Sequence, residues 1–322
     1  MFLTAREVNS FKSNKIEASG VVRLQDGDRD YVLLTAAYNE EGRIATTIES
    51  VIAQTFRPNR WVIVSDCSTD RTDEIVQGYA DRNSFIRLLR VIRPPGRSFG
   101  AKVRALHAGG ALLQDVTFRF VGNLDADVTV EPKYFEELLQ QFDARPHLGI
   151  AGGFVFEEVN GKFQSRPANR VYSVAHAAQL VRKECYDDIG GYAVLEYGGE
   201  DWHAQVSAGM KGWEVEAFPQ LKIFHYRHTG EGDNLLRHKF RQGKMDYAFG
   251  SDPLFELLKC AKRFRERPFL LGSVARLTGF YQSWVAREKR PVSDEFVAFL
   301  RKEQRDKLAS LLAGTDVSNS SE

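Results

Sequence analysis

Short apolar runs alternate with stretches of helical spacing through the first part of the chain. Tyr31 to Ala37 (YVLLTAA) reads as a buried strand and ends at the polar Asn39-Glu40-Glu41-Gly42. Ile44, Ile48, Val51 and Ile52 then fall on one face of a helix. Trp61 to Asp66 (WVIVSD) reads as a second strand, and Ser68-Thr69-Asp70 supplies cap chemistry for a helix carrying Ile75, Val76 and Tyr79. A third strand is expected over Arg87 to Ile92 and a helix over Phe99 to Gly110. A fourth strand is expected over Thr117 to Gly122, running into Asp125 and Asp127, with Pro132 opening a further helix. Strands alternating with helices predict an α/β fold with a mostly parallel sheet. Ligands bind such sheets beyond the carboxyl ends of the strands. Asn39, Asp66 and Asp125-Ala126-Asp127 each follow a strand, so they should converge on one crevice.

The length, 322 residues, suits one large domain with an appendage or two small ones. A net charge of +1 argues against a wholly basic nucleic-acid binder, and no nucleic-acid partner is expected. That near-neutral total hides an asymmetry. Between Arg237 and Arg290 there are 13 Lys/Arg against 5 Asp/Glu, a net of +8. Within this segment Leu254, Leu257, Leu258, Ala261 and Phe264 form an apolar stripe flanked by Lys259, Lys262, Arg263 and Arg265. Two readings follow: the stripe packs on the sheet domain or a partner, or it lies on an anionic membrane face. Cys67, Cys185 and Cys260 are far apart and make neither a disulfide framework nor a CxxC site. With no long apolar run and no secretory leader pattern, the expected location is cytoplasmic, with peripheral contact at the inner membrane face as the variant. The expected divisions are a polar extension at 1–29, a sheet domain at 30–236, a basic helical segment at 237–314 and a disordered Ser/Asn-rich tail at 315–322.

No GxGxxG follows the first strand and no GxxxxGK[ST] occurs, which removes the main support for hydride transfer and for P-loop chemistry. Asp125 and Asp127, two apart in an extended segment, can turn both carboxylates to the same side. Hard oxygen ligands of this kind suit Mg²⁺ or Mn²⁺, with diphosphate oxygens and water completing the shell. By itself Asp-x-Asp is a weak signal.

Taken together, the motifs resemble the family 2 glycosyltransferases. Ala37-Tyr38-Asn39-Glu40-Glu41 is similar to the opening YNE segment, and Val62 to Thr72 (VIVSDCSTDRT) to the nucleotide-binding stretch VIVDDGSTDGT. Asp125-Ala126-Asp127 stands at the metal-binding position. Gly190-Gly191-Tyr192 followed by Gly199-Glu200-Asp201 resembles the acceptor-side segment. Ser65 replaces the first Asp of the usual pair, and Cys67 replaces the usual Gly at a tight turn. The resemblance implies a GT-A fold, Rossmann-like with flanking helices, extended here by a C-terminal helical segment. It implies donor binding by Ala37, Tyr38, Asn39, Glu40, Asp66 and Asp125, with Asp66 on the base, and a basic contribution from Lys102 near the diphosphate. It further implies a divalent cation, Mn²⁺ or Mg²⁺, on Asp127 with Asp125 and His225, and Asp201 as general base assisted by Glu200. Arg237 and Arg241, one helical turn apart, are candidates for the diphosphate or an acidic acceptor. The Gln-x-x-Arg-Trp motif of processive members has no counterpart here, so one sugar per encounter is expected.

The implied activity is inverting transfer from a nucleotide-sugar to a hydroxyl-bearing glycan or lipid-linked acceptor, in surface polysaccharide or glycolipid assembly. Two rival readings are weaker. A sugar nucleotidyltransferase needs a Gly-rich basic loop where this chain has Tyr38-Asn39-Glu40-Glu41. A non-catalytic nucleotide-sugar-binding module should have lost one of Asp66, Asp125, Asp127 and Asp201, and all four are present.

Overall fold

Tyr31–Ala37 is buried along almost its whole length and forms β1, because a strand covered on both faces must be apolar throughout. The computed structural model describes residues 30–92, 100–227, 235–263 and 269–312; the expected extension at 1–29 and tail at 315–322 lie outside these. The chain divides into two compact units. One comprises Met1–Pro94, Ala105–Gly190 and Gly212–Tyr226, the other Pro95–Arg104, Gly191–Lys211 and Arg227–Glu322.

The first unit is a sheet. Its elements are β1, α1 (Ile44–Ile52), β2 (Arg60–Asp66), α2 (Thr72–Ala80), β3 (Ile86–Val91), the C-terminal part of α3 (Ala101–Gly110), β4 (Phe120–Leu124) and β5 (Val128–Val130). These are followed by α4 (Tyr134–Ala144), β6 (Leu148–Val159), β7 (Lys162–Ser165), β8 (Ala178–Arg182), α5 (Lys183–Asp188) and β9 (Glu214–His225). Strand order is β3-β2-β1-β4-β8-β6-β9-β5, with β7 on β6. The β3-β2-β1-β4 block is parallel, as the alternating pattern predicts. The sheet turns antiparallel where β8 joins β4. Buried Tyr31, Leu33, Ile44, Ile48, Trp61, Phe135 and Phe142 lead its core. The fourth strand begins three residues and ends two residues later than its expected span, because Asn123 interrupts the apolar run yet sits inside the strand.

The second unit is helical: α6 (Glu200–Met210), α7 (Leu235–Ala248), α8 (Pro253–Lys262), α9 (Leu271–Val285) and α10 (Asp294–Leu312). Helices α7 and α9 cross at backbone contact. A Cβ on Gly243 would collide with the Arg276 carbonyl, and one on Gly279 with the Phe240 carbonyl. Asp252 caps α8 by accepting from the amides of Leu254 (2.9 Å) and Phe255 (3.2 Å), with Pro253 opening the helix. Leu195, Val206, Phe249, Phe296 and Leu300 form a separate apolar cluster, and the His203 ring stacks on Phe296 with centroids 4.9 Å apart.

Candidate active site

Parallel register sets Ala37 beside Ser65 and Leu34 beside Asn123, so the ends of β1, β2 and β4 are neighbours. Asp66 closes β2 and is buried; Asp125 and Asp127 follow β4. Asp66 and the Asp125-Ala126-Asp127 segment thus stand at the carboxyl ends of the two strands that flank β1.

The Asp125-Ala126-Asp127 backbone is held on every side. Thr35 Oγ1 donates to the Leu124 carbonyl at 2.6 Å and itself accepts from Trp61 Nε1 at 2.9 Å. The Asp125 amide donates to the Ala177 carbonyl (2.8 Å), and Thr47 Oγ1 donates to the Ala126 carbonyl (2.9 Å). The Tyr226 amide donates to the Asp127 carbonyl (3.2 Å), and Asn123 Nδ2 donates to Asp125 Oδ1 (3.1 Å). Thr35, Thr47 and Asn123 are all buried, so each hydroxyl or amide supplies a bond that water cannot replace.

The strand pairing explains the histidine. Antiparallel β5 and β9 set Val128 beside His225, which brings the imidazole next to Asp127. His225 Nε2 lies 3.4 Å from Asp127 Oδ1. Burial works to lower the imidazole pKa. The Asp127 hydrogen bond and the charges of Asp127, Asp125 and Glu157 outweigh it, and the net shift is upward. Two donors on adjacent vertices of an octahedron with bonds of about 2.1 Å stand about 3 Å apart, so this carboxylate–imidazole pair fits one Mn²⁺ or Mg²⁺. No group of three or more His, Cys, Asp or Glu is placed to hold a cation among the described residues.

Around Ser68 to Thr72, two loops are laced together. Asn39 Oδ1 accepts from the Thr69 amide (2.8 Å), and Ser68 Oγ accepts from the Asn39 amide (3.1 Å). Thr72 Oγ1 accepts from the Glu40 amide (2.7 Å) and donates to Asp70 Oδ1 (2.6 Å). Asp70 Oδ2 also accepts from the Glu41 amide (3.0 Å). The slight burial of the Asp70 carboxyl is outweighed by these hydrogen bonds, which hold its pKa below the ordinary value. Asn39 thus orders the loop. Tyr38 and Glu41 are the exposed residues of this motif, and Tyr38 offers an aromatic ring at 56% exposure. Cys67 takes φ +63°, the left-handed conformation that the usual Gly adopts without strain.

The remaining expected residues belong to the helical unit. Gly199 has φ +86° and packs so closely that a Cβ would stand 2.8 Å from Met245 Sδ, which accounts for glycine just before Glu200 and Asp201 on the first turn of α6. Asp201 Oδ1 accepts from the Trp202 amide at 2.7 Å. Lys102 is half-buried on the first turn of α3. On α7, Arg237 is exposed, while Arg241 Nη2 lies 3.0 Å from His238 Nδ1.

The model of the family described as Glycosyl transferase family 2 matches residues 33–197, half of the chain. The chain belongs to this family. It is 30% identical over 115 residues to the succinoglycan biosynthesis protein ExoO of Rhizobium meliloti, covering 36% of this chain and 30% of that one. To the uncharacterized glycosyltransferase YibD of Escherichia coli it is 31% identical over 139 residues (42% and 38%). To the poly-beta-1,6-N-acetyl-D-glucosamine synthase of Staphylococcus aureus it is 29% identical over 121 residues (37% and 27%). The matched stretches thus span less than two fifths of each curated relative.

Among solved structures, the fold is similar to that of S. aureus TarS 1-349 in complex with UDP-GlcNAc. The TM-score is 0.51 at 15% identity, covering 90% of this chain and 88% of that one. It is also similar to GalNAc-T7 with UDP, GalNAc and Mn²⁺ (TM-score 0.57, 13% identity, 91% and 59%). The family 2 match takes in Asp66, Lys102, Asp125 and Asp127 and ends before Glu200, Asp201 and His225. Sequence reasoning missed Thr35, Thr47 and Asn123, which support the site from inside strands and a helix. Their signal was polar residues at positions where the apolar pattern demands burial.

Proposed function

We propose that this family 2 glycosyltransferase moves a single sugar, with inversion, from a nucleotide-sugar donor to a hydroxyl of a glycan or lipid-linked acceptor in surface polysaccharide assembly. The observation that carries the reading is the pinned Asp125-Ala126-Asp127 segment with His225 Nε2 3.4 Å from Asp127, on the strand end beside Asp66. Tyr38 provides an exposed ring for stacking, and the Asp66 carboxylate an acceptor for a base N–H. Asp127 and His225 would hold a divalent cation together with diphosphate oxygens, and Asp125 would assist them or reach the ribose. When bound, that cation supplies positive charge against the diphosphate as it leaves. Lys102, Arg237 and Arg241 add positive charge for the same group.

The chemistry is a single displacement. The acceptor oxygen bonds to the anomeric carbon as the bond from that carbon to the diphosphate oxygen breaks. The hydroxyl proton passes to the Asp201 carboxylate, which Glu200 helps to orient, and the nucleoside diphosphate departs with the bonding electrons. Attack opposite to the leaving group inverts the anomeric centre.

GalNAc-T7 was solved with UDP and Mn²⁺, so that pair heads the panel of nucleoside diphosphates to be tried. The test is thermal unfolding with each diphosphate, with and without Mn²⁺. A ligand at 100 times its dissociation constant adds about 2.7 kcal/mol to stability. A shift that needs Mn²⁺ and is lost in Asp127→Asn supports the reading. No shift with any diphosphate, with or without Mn²⁺, refutes it.

A further inference from the structure

Helix α8 is built inside out. Its buried face carries a charge: Glu256 is 0% exposed beside the buried Cys260, and it meets Arg276 Nε of α9 at 3.1 Å. Arg276 also binds Asp246 of α7 at 2.7 Å and Gln242 Oε1 at 3.1 Å, while Lys259 reaches Asp246 at 3.1 Å. Two acids and two bases therefore neutralise one another within this helical unit. The leucines face the other way. Leu254, Leu257 and Leu258, spaced as one stripe along the helix, are 59%, 46% and 45% exposed. Ser273 Oγ donates to the Cys260 carbonyl at 2.9 Å, which fixes the end of α8 beside the first turn of α9. There Leu270, Leu271 and Val274 are also at least half exposed. A helix that buries its charges and exposes its leucines reverses the ordinary pattern of a water-soluble surface and marks an interaction site.

Charge decides the occupant. Lys262 and Arg263 are exposed at the end of the leucine stripe, in the segment whose net charge is +8. A second copy of the chain docked through the same face would set like charge against like charge, since a two-fold interface pairs a patch with itself. An anionic bilayer meets both demands, taking apolar side chains into its acyl boundary and basic ones at its headgroups. We infer that the outer face of α8 with the first turn of α9 is a docking surface for an anionic membrane. Combined with the transferase reading, on which this last step rests, docking would bring the chain to lipid-linked acceptors.

The test is co-sedimentation of the full chain with phosphatidylcholine vesicles, with and without phosphatidylglycerol. Wild type is compared with Leu257→Asp/Leu258→Asp and with Lys262→Glu/Arg263→Glu. All four positions are exposed, and circular dichroism checks that the variants fold. Wild type should pellet with the anionic vesicles at low salt and be released at high salt. Each Lys or Arg near such a surface strengthens binding about fivefold, so the charge variant should bind at least about 25-fold more weakly. The leucine variant should remain in the supernatant. The inference is overturned if wild type ignores anionic vesicles, if it binds neutral ones equally, or if both variants pellet like wild type. It is also overturned if wild type instead self-associates in sedimentation velocity and the leucine variant abolishes that. Nucleotide-dependent thermal shifts, measured on the same preparations, report separately on the donor site.

Discussion

Thr47 is the most direct handle on how the fold holds the Asp125-Ala126-Asp127 segment. Its hydroxyl, on the buried face of α1, donates to the Ala126 carbonyl at 2.9 Å across 79 residues of sequence. Thr47→Val keeps the shape and removes the donor, leaving the Ala126 carbonyl without that partner in a site shut off from water. An unsatisfied buried group of this kind costs about 1–3 kcal/mol, and Val in place of Thr adds negligible volume change. Thr47→Ser retains the donor and loses only a methyl, at about 1 kcal/mol. Urea unfolding followed by tryptophan fluorescence measures the difference, because Trp61 is fully buried in the same sheet and bonded to Thr35. The Val variant should be the less stable of the two, and its Mn²⁺-dependent response to nucleoside diphosphate should weaken because the Asp127 backbone has lost an anchor. If Val equals Ser in stability and in the ligand response, the hydroxyl is not what holds this segment.

Three further outcomes are expected. Cys67→Gly should stabilise the chain by about 0.5–1 kcal/mol: relief of the left-handed strain at φ +63° exceeds the entropy glycine costs the folded state. Cys67→Ala, which keeps the Cβ, should give no such gain in the same urea titration. Burial holds the His203 imidazole below its ordinary value of 6.5. As pH falls below 6.5 the unfolded chain therefore takes up its proton first and stability declines until the folded pKa is passed; His203→Phe should remove that slope from stability measured against pH. Gly243→Ala should cost at least about 3 kcal/mol or prevent folding of the helical unit, since the added methyl meets the Arg276 carbonyl and backbone on backbone cannot yield as side chains do. A circular dichroism melt indistinguishable from wild type would refute the close crossing.

How much of this was legible beforehand follows from where the information lies. β1 and β2 could be read because strands buried on both faces are apolar along nearly their whole length, and the alternation with helices then set the acids after β2 and β4 at the same edge of a parallel block. The strands after residue 148 were not legible in the same way. β8 and β6 run antiparallel into a mixed sheet, β7 is exposed throughout, and β9 alternates without a clear period. That half of the sheet nevertheless decides the candidate metal pair. His225 is 98 residues from Asp127 in sequence, and only the β5–β9 register makes them neighbours. A sequence could suggest the pairing by resemblance; the physical reason is a hydrogen-bond ladder invisible in local pattern. The same holds in reverse for α8. Its leucine stripe was plain in the sequence, and helical periodicity alone says that one face is apolar and the opposite one polar. Which face turns inward depends on Arg276 and Asp246, two residues on other helices whose charges draw Glu256 and Lys259 inside and leave the leucines facing out. Periodicity fixes the division of a helix into faces, and charge pairing across helices fixed its orientation here.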